Sequence, residues 1–250
     1  MRVLGIESSS LVASVALVTD DILTAEYTVD FKKTHSQTLL PMLDEIVKLL
    51  ELDMDTIDAI AVAGGPGSFT GLRIGAATAK GLGLALKKPL VHVPTVDAMA
   101  YNMWGAEGLI CPIMDAKRSQ VYTGLYHTGN GLEVVMEQQP MDMRELAGLL
   151  NKKGERVIFL GDGVPVYKDI IREMLTVPYA FAPAQMNRQR AASVAALGMN
   201  ALLDARSCPG ARVVTAAQFT PDYLRKPQAE RQREAEQSAL GAAAKLPGDY

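Results

Sequence analysis

The order strand, strand, strand, helix, strand, helix runs through this sequence twice, and few architectures accommodate it. VLGIE (Val3–Glu7), ASVALVTD (Ala13–Asp20) and ILTAEYTVD (Ile22–Asp30) run or alternate in apolar residues and read as a three-stranded meander. The period then lengthens. Leu39, Met42, Leu43, Ile46, Val47, Leu49 and Leu50 recur at helical spacing within HSQTLLPMLDEIVKLLE. Thr34 or Ser36 caps that helix, and Pro41 predicts a late start or a kink. IDAIAVAGG (Ile57–Gly65) is almost continuously apolar, as a strand covered on both faces is. A helix over 70–86, a short strand over 88–94 and a helix over 95–104 capped by Thr95 are expected next. The second half offers strands over 109–117, 120–127 and 132–139, a helix over 141–153, a strand over 156–163 and a helix over 165–175. A last long helix over 188–206 closes at Ser207-Cys208-Pro209-Gly210. The halves share no sequence identity, so the repeat rests on element order.

The bulk properties narrow the function. At 250 residues, with 48% hydrophobic residues and a formal net charge of −3, the chain is expected to be soluble and globular, without a surface-wide nucleic-acid face. Cys111 and Cys208 stand in no C-x-x-C spacing and read as reduced thiols. No leader is recognised and no apolar run reaches the ~20 residues that span a bilayer, so a cytoplasmic location is expected. The segment from Gln228 is rich in Glu, Arg, Gln and Ala and reads as a flexible tail over 227–250.

AGGPGSFTGLRIG (Ala63–Gly75) holds five glycines in thirteen residues at a strand-to-helix junction. It matches neither G-x-x-x-x-G-K-[ST] nor G-x-G-x-x-G. Two readings remain: backbone N–H groups holding an anion, aided by Arg73, or a turn that needs glycine conformations. In the helix that follows, Gly71, Gly75, Ala79 and Gly83 are spaced by four and form one stripe. A stripe of small residues implies a backbone lying close against it. That neighbour is the sheet, the preceding helix, or a helix of another chain.

Chemistry-bearing groups are sparse. His35, His92 and His127 are isolated in sequence, and no metal spacing surrounds them. No serine lies in G-x-S-x-G. Glu7, beside Ser8 at the end of the first strand, and Asp115, at the equivalent point of the second half, are the acidic candidates. They either face a cleft between two lobes or cap turns. FTPDYLRKPQAE (Phe219–Glu230) reads as a surface tail or a docking segment.

Duplicated mixed sheets with flanking helices are the plan of the actin, sugar-kinase and Hsp70 ATPase superfamily. LGIESS, KTHSQTLLPMLDEI, GPGSFTGLRIG, AKGLGLAL, PTVDAMA, MDAKRSQVY and YLRKPQAE, in this order and over nearly the whole chain, resemble the bacterial TsaB (YeaZ) family. The resemblance implies a duplicated actin-like (ASKHA, RNase H-like) α/β fold, with lobes over 1–105 and 106–226. It implies a non-catalytic subunit in forming threonylcarbamoyladenosine next to the anticodon of tRNAs that read codons starting with A. Its implied partners are the catalytic paralogue TsaD, as a heterodimer, and the ATPase TsaE, with tRNA engaged indirectly; alone, the apolar helix pair is expected to be covered by a self-dimer. The implied interface lies on the helices over 36–51 and 70–86. The residues expected there are Leu39, Met42, Leu43, Ile46, Gly71, Leu72, Gly75, Ala76, Ala79, Leu82 and Gly83.

TsaD carries an H-x-x-x-H metal motif where this sequence has Thr95 and Met99, which implies no metal here. Gly161-Asp162-Gly163 matches an adenosine-binding pattern only in part, so no cofactor is expected. Glu7, Ser8, Arg73 and Asp115 are kept as cleft residues. The alternatives are a glycopeptidase-like hydrolase and a small-molecule kinase of the same superfamily.

Overall fold

Each half builds one mixed sheet from three antiparallel strands and a parallel continuation. The computed structural model describes residues 1–224. In the first half, β1 (Arg2–Glu7), β2 (Val12–Thr19) and β3 (Ile22–Asp30) form the meander, and α1 (His35–Leu50) leads to β4 (Ala59–Ala63), parallel to β1. Helix α2 (Phe69–Leu86) then leads to β5 (Leu90–Val93), parallel to β4, and α3 (Thr95–Tyr101) follows. The second half repeats the plan with β6 (Leu109–Asp115), β7 (Gln120–His127), β8 (Glu133–Asp142), α4 (Met143–Lys153), β9 (Val157–Leu160) and α5 (Val164–Met174). Two three-residue strands, β10 (Tyr179–Phe181) and β11 (Arg212–Val214), are too short for periodicity to reveal, and α6 (Ala191–Leu203) stands between them. The sheet orders are β11-β5-β4-β1-β2-β3 and β10-β9-β6-β7-β8. This is the duplicated actin-like plan.

The lobe boundary differs from the expected 106–226. Helix α6 packs on β1, β2 and β4, and β11 pairs with β5, so the end of the described chain returns to the first sheet. Two glycines let α6 come that close. A Cβ at Gly5 would stand 2.3 Å from the Ala191 carbonyl oxygen, and one at Gly198 would stand 2.5 Å from the Ala61 Cβ. The tail over 227–250 lies outside the described residues.

Helix α1 starts at His35, and the late start expected from Pro41 does not occur. Pro41 and Gln37 are both exposed, so the turn that loses an intrahelical donor borders solvent, where that loss costs least. Thr34 holds the N-cap position of α1 without a capping bond from its side chain. Pro94 holds that of α3, so Thr95 is the first helical residue and not its cap.

Leu39, Met42, Leu43 and Ile46 of α1 and Ala76 and Ala79 of α2 close one face of the first sheet, and α6 closes the other. Helices α4 and α5 cover the second sheet. Val96, Met99 and Ala100 of α3 meet Ile110, Met114 and Tyr126, a core that joins the two lobes.

Candidate functional site

The strand ends β1 and β6 and the loops behind them converge on a cavity of 580 Å³. Ser9 and Ser10 line it from the first turn, Gly67, Ser68 and Phe69 from the glycine loop, and Asp115 and Lys117 from the β6–β7 loop. Asp162 and the closing segment Asp222–Leu224 complete it.

Its electrostatics are acidic. Glu7 is 1% exposed, and its Oε1 accepts the Ser9 N–H at 2.6 Å. Burial, with Asp162 nearby, pushes its carboxyl up to about 7. Burial also raises Asp162, whose Oδ1 accepts from Gln189 Nε2 at 3.2 Å. At Asp115 partial burial works upward but is outweighed by hydrogen bonds from Lys117 and Tyr167, which hold the carboxyl below the usual range. The Tyr167 hydroxyl donates at 3.0 Å and the Lys117 N–H at 2.9 Å. Lys117 Nζ pairs with the same carboxylate.

The glycine loop is filled from within. The N–H groups of Gly64, Gly65, Ser68 and Gly71 donate to Val93 O (2.7 Å), Thr95 Oγ1 (3.1 Å), Ser9 O (2.6 Å) and Ser68 Oγ (3.3 Å). No donor of this set is left for an anion. Arg73 stacks its guanidinium 3.9 Å from the Phe69 ring centroid and does not line the cavity. Ser8 donates its hydroxyl to the Gly71 carbonyl at 2.9 Å. Gly161 and Gly163 press on the Ile113 carbonyl, so they too are used by the chain itself.

The segment Phe219–Leu224 straps over this loop. Asp222 N donates to Gly64 O at 2.7 Å, and the Asp222 carboxylate meets His92 at 3.2 Å and Arg212 at 2.9 Å. Partial burial opposes ionisation, but these two partners prevail and bring Asp222 down to about 2. Tyr223 packs on Phe69 at 4.9 Å between ring centroids. Six residues of the stretch read as a tail or docking segment thus dock on their own chain; residues 225–230 lie outside the described ones.

The expected metal-ligand positions do not fit a metal. Thr95 and Met99 are 0% and 1% exposed; the first bonds Gly65 and the second packs in the interlobe core. His127, isolated in sequence, meets Glu155 at 2.9 Å and Glu133 at 3.5 Å through opposite ring nitrogens, which cannot converge on one ion.

The residues expected at a partner interface face inward. Leu39, Met42, Leu43, Ile46, Gly71, Leu72, Gly75, Ala76, Ala79 and Gly83 are buried, and Leu82 is half-buried. A Cβ at Gly71 would stand 2.0 Å from the Ser8 carbonyl, and one at Gly75 2.2 Å from the Ser8 hydroxyl. The close backbone is the chain's own first turn. A second stripe with the same spacing, Arg73, Ala77, Gly81 and Ala85, is exposed, and a Cβ at Gly81 would meet nothing within 4 Å. Leu84 (66% exposed) and Leu40 of α1 (53%) add large apolar groups outside.

The family model for TsaD, tRNA N6-adenosine threonylcarbamoyltransferase, matches residues 29–233. The tRNA threonylcarbamoyladenosine biosynthesis protein TsaB of Bacillus subtilis (strain 168) is 34% identical over 92% of this chain and 96% of its own. The chain belongs to the TsaB family. The protein of the same name from Escherichia coli (strain K12) is 32% identical over 59% of this chain and 68% of its own. Among solved structures, YeaZ from Pseudomonas aeruginosa aligns with a TM-score of 0.72 at 24% identity, covering 89% of this chain and 99% of its own. That likeness carries the fold, and the TsaB relatives carry the family.

Proposed function

We propose that this TsaB-family chain is a non-catalytic subunit in threonylcarbamoyladenosine modification of tRNA. It pairs with a TsaD-type transferase through the outer face of α1 and α2 and helps recruit a TsaE-type ATPase. The observation that carries the reading is the exposed stripe Ala77, Gly81 and Ala85 flanked by Leu84 and Leu40. Glycine and alanine at this spacing let a partner helix approach closely, and flanking leucines supply apolar area. No helix of the described residues is long and apolar enough to cross a membrane, which agrees with a role in the cytoplasm.

The cleft supports the non-catalytic part. Ser8 donates to a backbone carbonyl and has no base at its oxygen, which disfavours the hydrolase reading. The N–H groups of Gly64, Gly65, Ser68 and Gly71 are spent within the chain, which disfavours the kinase reading.

The test is tRNA modification reconstituted with the transferase and ATPase from the same source. Glu7→Gln and Asp115→Asn should retain the full rate, and Gly81→Arg should abolish the modification that requires this chain. Loss of activity in the carboxylate variants with the complex intact would refute the non-catalytic reading.

A further inference from the structure

Of the four strands that end a sheet, three are blunted, and the fourth, β3, is irregular only near its start. β10 and β11 have three residues each. β8 carries Pro140 and two register irregularities, and its Gln138 side chain bonds Val96 N and Gly65 O. β3 pairs with β2 on one side and ends the first sheet on the other. Its nine residues, ILTAEYTVD, include no proline and no lysine, and its one register irregularity, at Thr24, leaves residues 25–30 in regular pairing with β2. A regular run of edge without such devices is a template for another strand.

A groove of 370 Å³ runs between this edge and α1, lined by Tyr27, Val29, Phe31, Lys33, Pro41 and Met42 among others, with Glu45 as its one carboxylate. Tyr27, Val29 and Phe31 are alternate residues and share one face. Phe31 is 64% exposed and Tyr27 44%. Lys32 and Lys33, at the end of the strand, are exposed and make no ion pair among the described residues. The carboxylates of β3 itself are already neutralised. Glu26 pairs with Arg190, and Asp30 meets Arg188 Nε at 2.9 Å.

We propose that the β3 edge takes an extended, acidic-ended peptide segment of another protein. The segment adds a strand beside β3, sets alternate apolar side chains against Tyr27, Phe31 and Met42, and brings a carboxylate to Lys32 and Lys33. Backbone pairing supplies affinity, and the groove and lysines supply selectivity. A second copy of this chain fits less well, because its own β3 carboxylates are engaged and would leave both lysines unmet. The groove adjoins the proposed transferase interface on α1, where Pro41 follows Leu40, while the exposed small-residue stripe of that interface lies on α2.

The test uses the full chain and two synthetic octapeptides that alternate valine and threonine and carry two aspartates at one end or the other. Amide NMR and hydrogen exchange follow β3. One of the peptides should slow exchange along β3, with affinity falling at least tenfold for the Lys32→Glu/Lys33→Glu double variant, for Phe31→Ala, and for peptides ending in two lysines. No slowing at millimolar peptide, or binding indifferent to the end charge, would overturn the proposal. So would protection of β3 that grows with protein concentration alone, which would assign the edge to a second copy.

Discussion

Gly71 and Ser8 lock together through a side-chain hydrogen bond and a close approach of their backbones. The Ser8 hydroxyl donates to the Gly71 carbonyl at 2.9 Å, and an added Cβ at Gly71 would stand 2.0 Å from the Ser8 carbonyl oxygen. Neither backbone can step aside without moving β1 or α2. Gly71→Ala is therefore expected to cost at least ~2 kcal/mol, despite the gain in helix propensity. Gly81→Ala, in open space on the same helix, should stabilise by about 0.5–1 kcal/mol. Urea unfolding of the two variants checks both signs.

Glu7 makes stability depend on pH. Its folded carboxyl titrates at about 7 against an ordinary value of 4.5, so the folded state holds a proton that the unfolded state releases. The favourable contribution is fully present below pH 4.5 and is lost as pH rises through 7. Glu7→Gln keeps the acceptor for Ser9 N–H and removes the charge. It should raise the melting temperature above pH 7 and change it little at pH 4, the acidic end of that range. Thermal melts across this range test it, and a variant less stable at pH 8, on the ionised side of that value, would contradict it.

Asp222 has the opposite sign. His92 and Arg212 hold it down to about 2, so its contribution is present above its ordinary value of 3.8 and lost as pH falls through 2. Asp222→Asn should lower stability at neutral pH and flatten the acid limb of the stability curve. It should also speed exchange of the Asp222 amide, which donates to Gly64 O. Hydrogen exchange at neutral pH reads the strap directly.

The transition from a period near two to one near 3.6, repeated, was legible because each long element buries a continuous stripe. The nine strands of four or more residues and the α-helices all overlap segments so read, although β8 runs on to Asp142, past the expected end at 139. β10 and β11 were not legible, since three residues carry no period. Nor was the return of α6 to the first sheet, which depends on Gly5 of β1 and Gly198 of α6 letting helix and sheet come together from distant parts of the chain. The four-residue stripe on α2 was visible, but Gly71, Gly75, Ala79, Gly83 and Arg73, Ala77, Gly81, Ala85 have the same spacing. Periodicity cannot say which faces in. Ser8, on a distant turn, decides it. The acidic pair Glu7 and Asp115 was found at strand ends. Asp162 and Asp222 were missed as cleft groups because loop residues are brought there by tertiary packing.

The most direct measurement is size-exclusion chromatography with light scattering on this chain, on the transferase from the same source, and on their mixture, with wild type and Gly81→Arg. Gly81 has open space around it, so the variant should fold with an unchanged melting temperature. A heterodimer with the wild-type chain, absent with Gly81→Arg, is the expected result. A heterodimer that forms equally with Gly81→Arg and with Leu84→Arg would contradict the assignment of the outer α1–α2 face, and separate peaks for wild type would contradict the pairing itself.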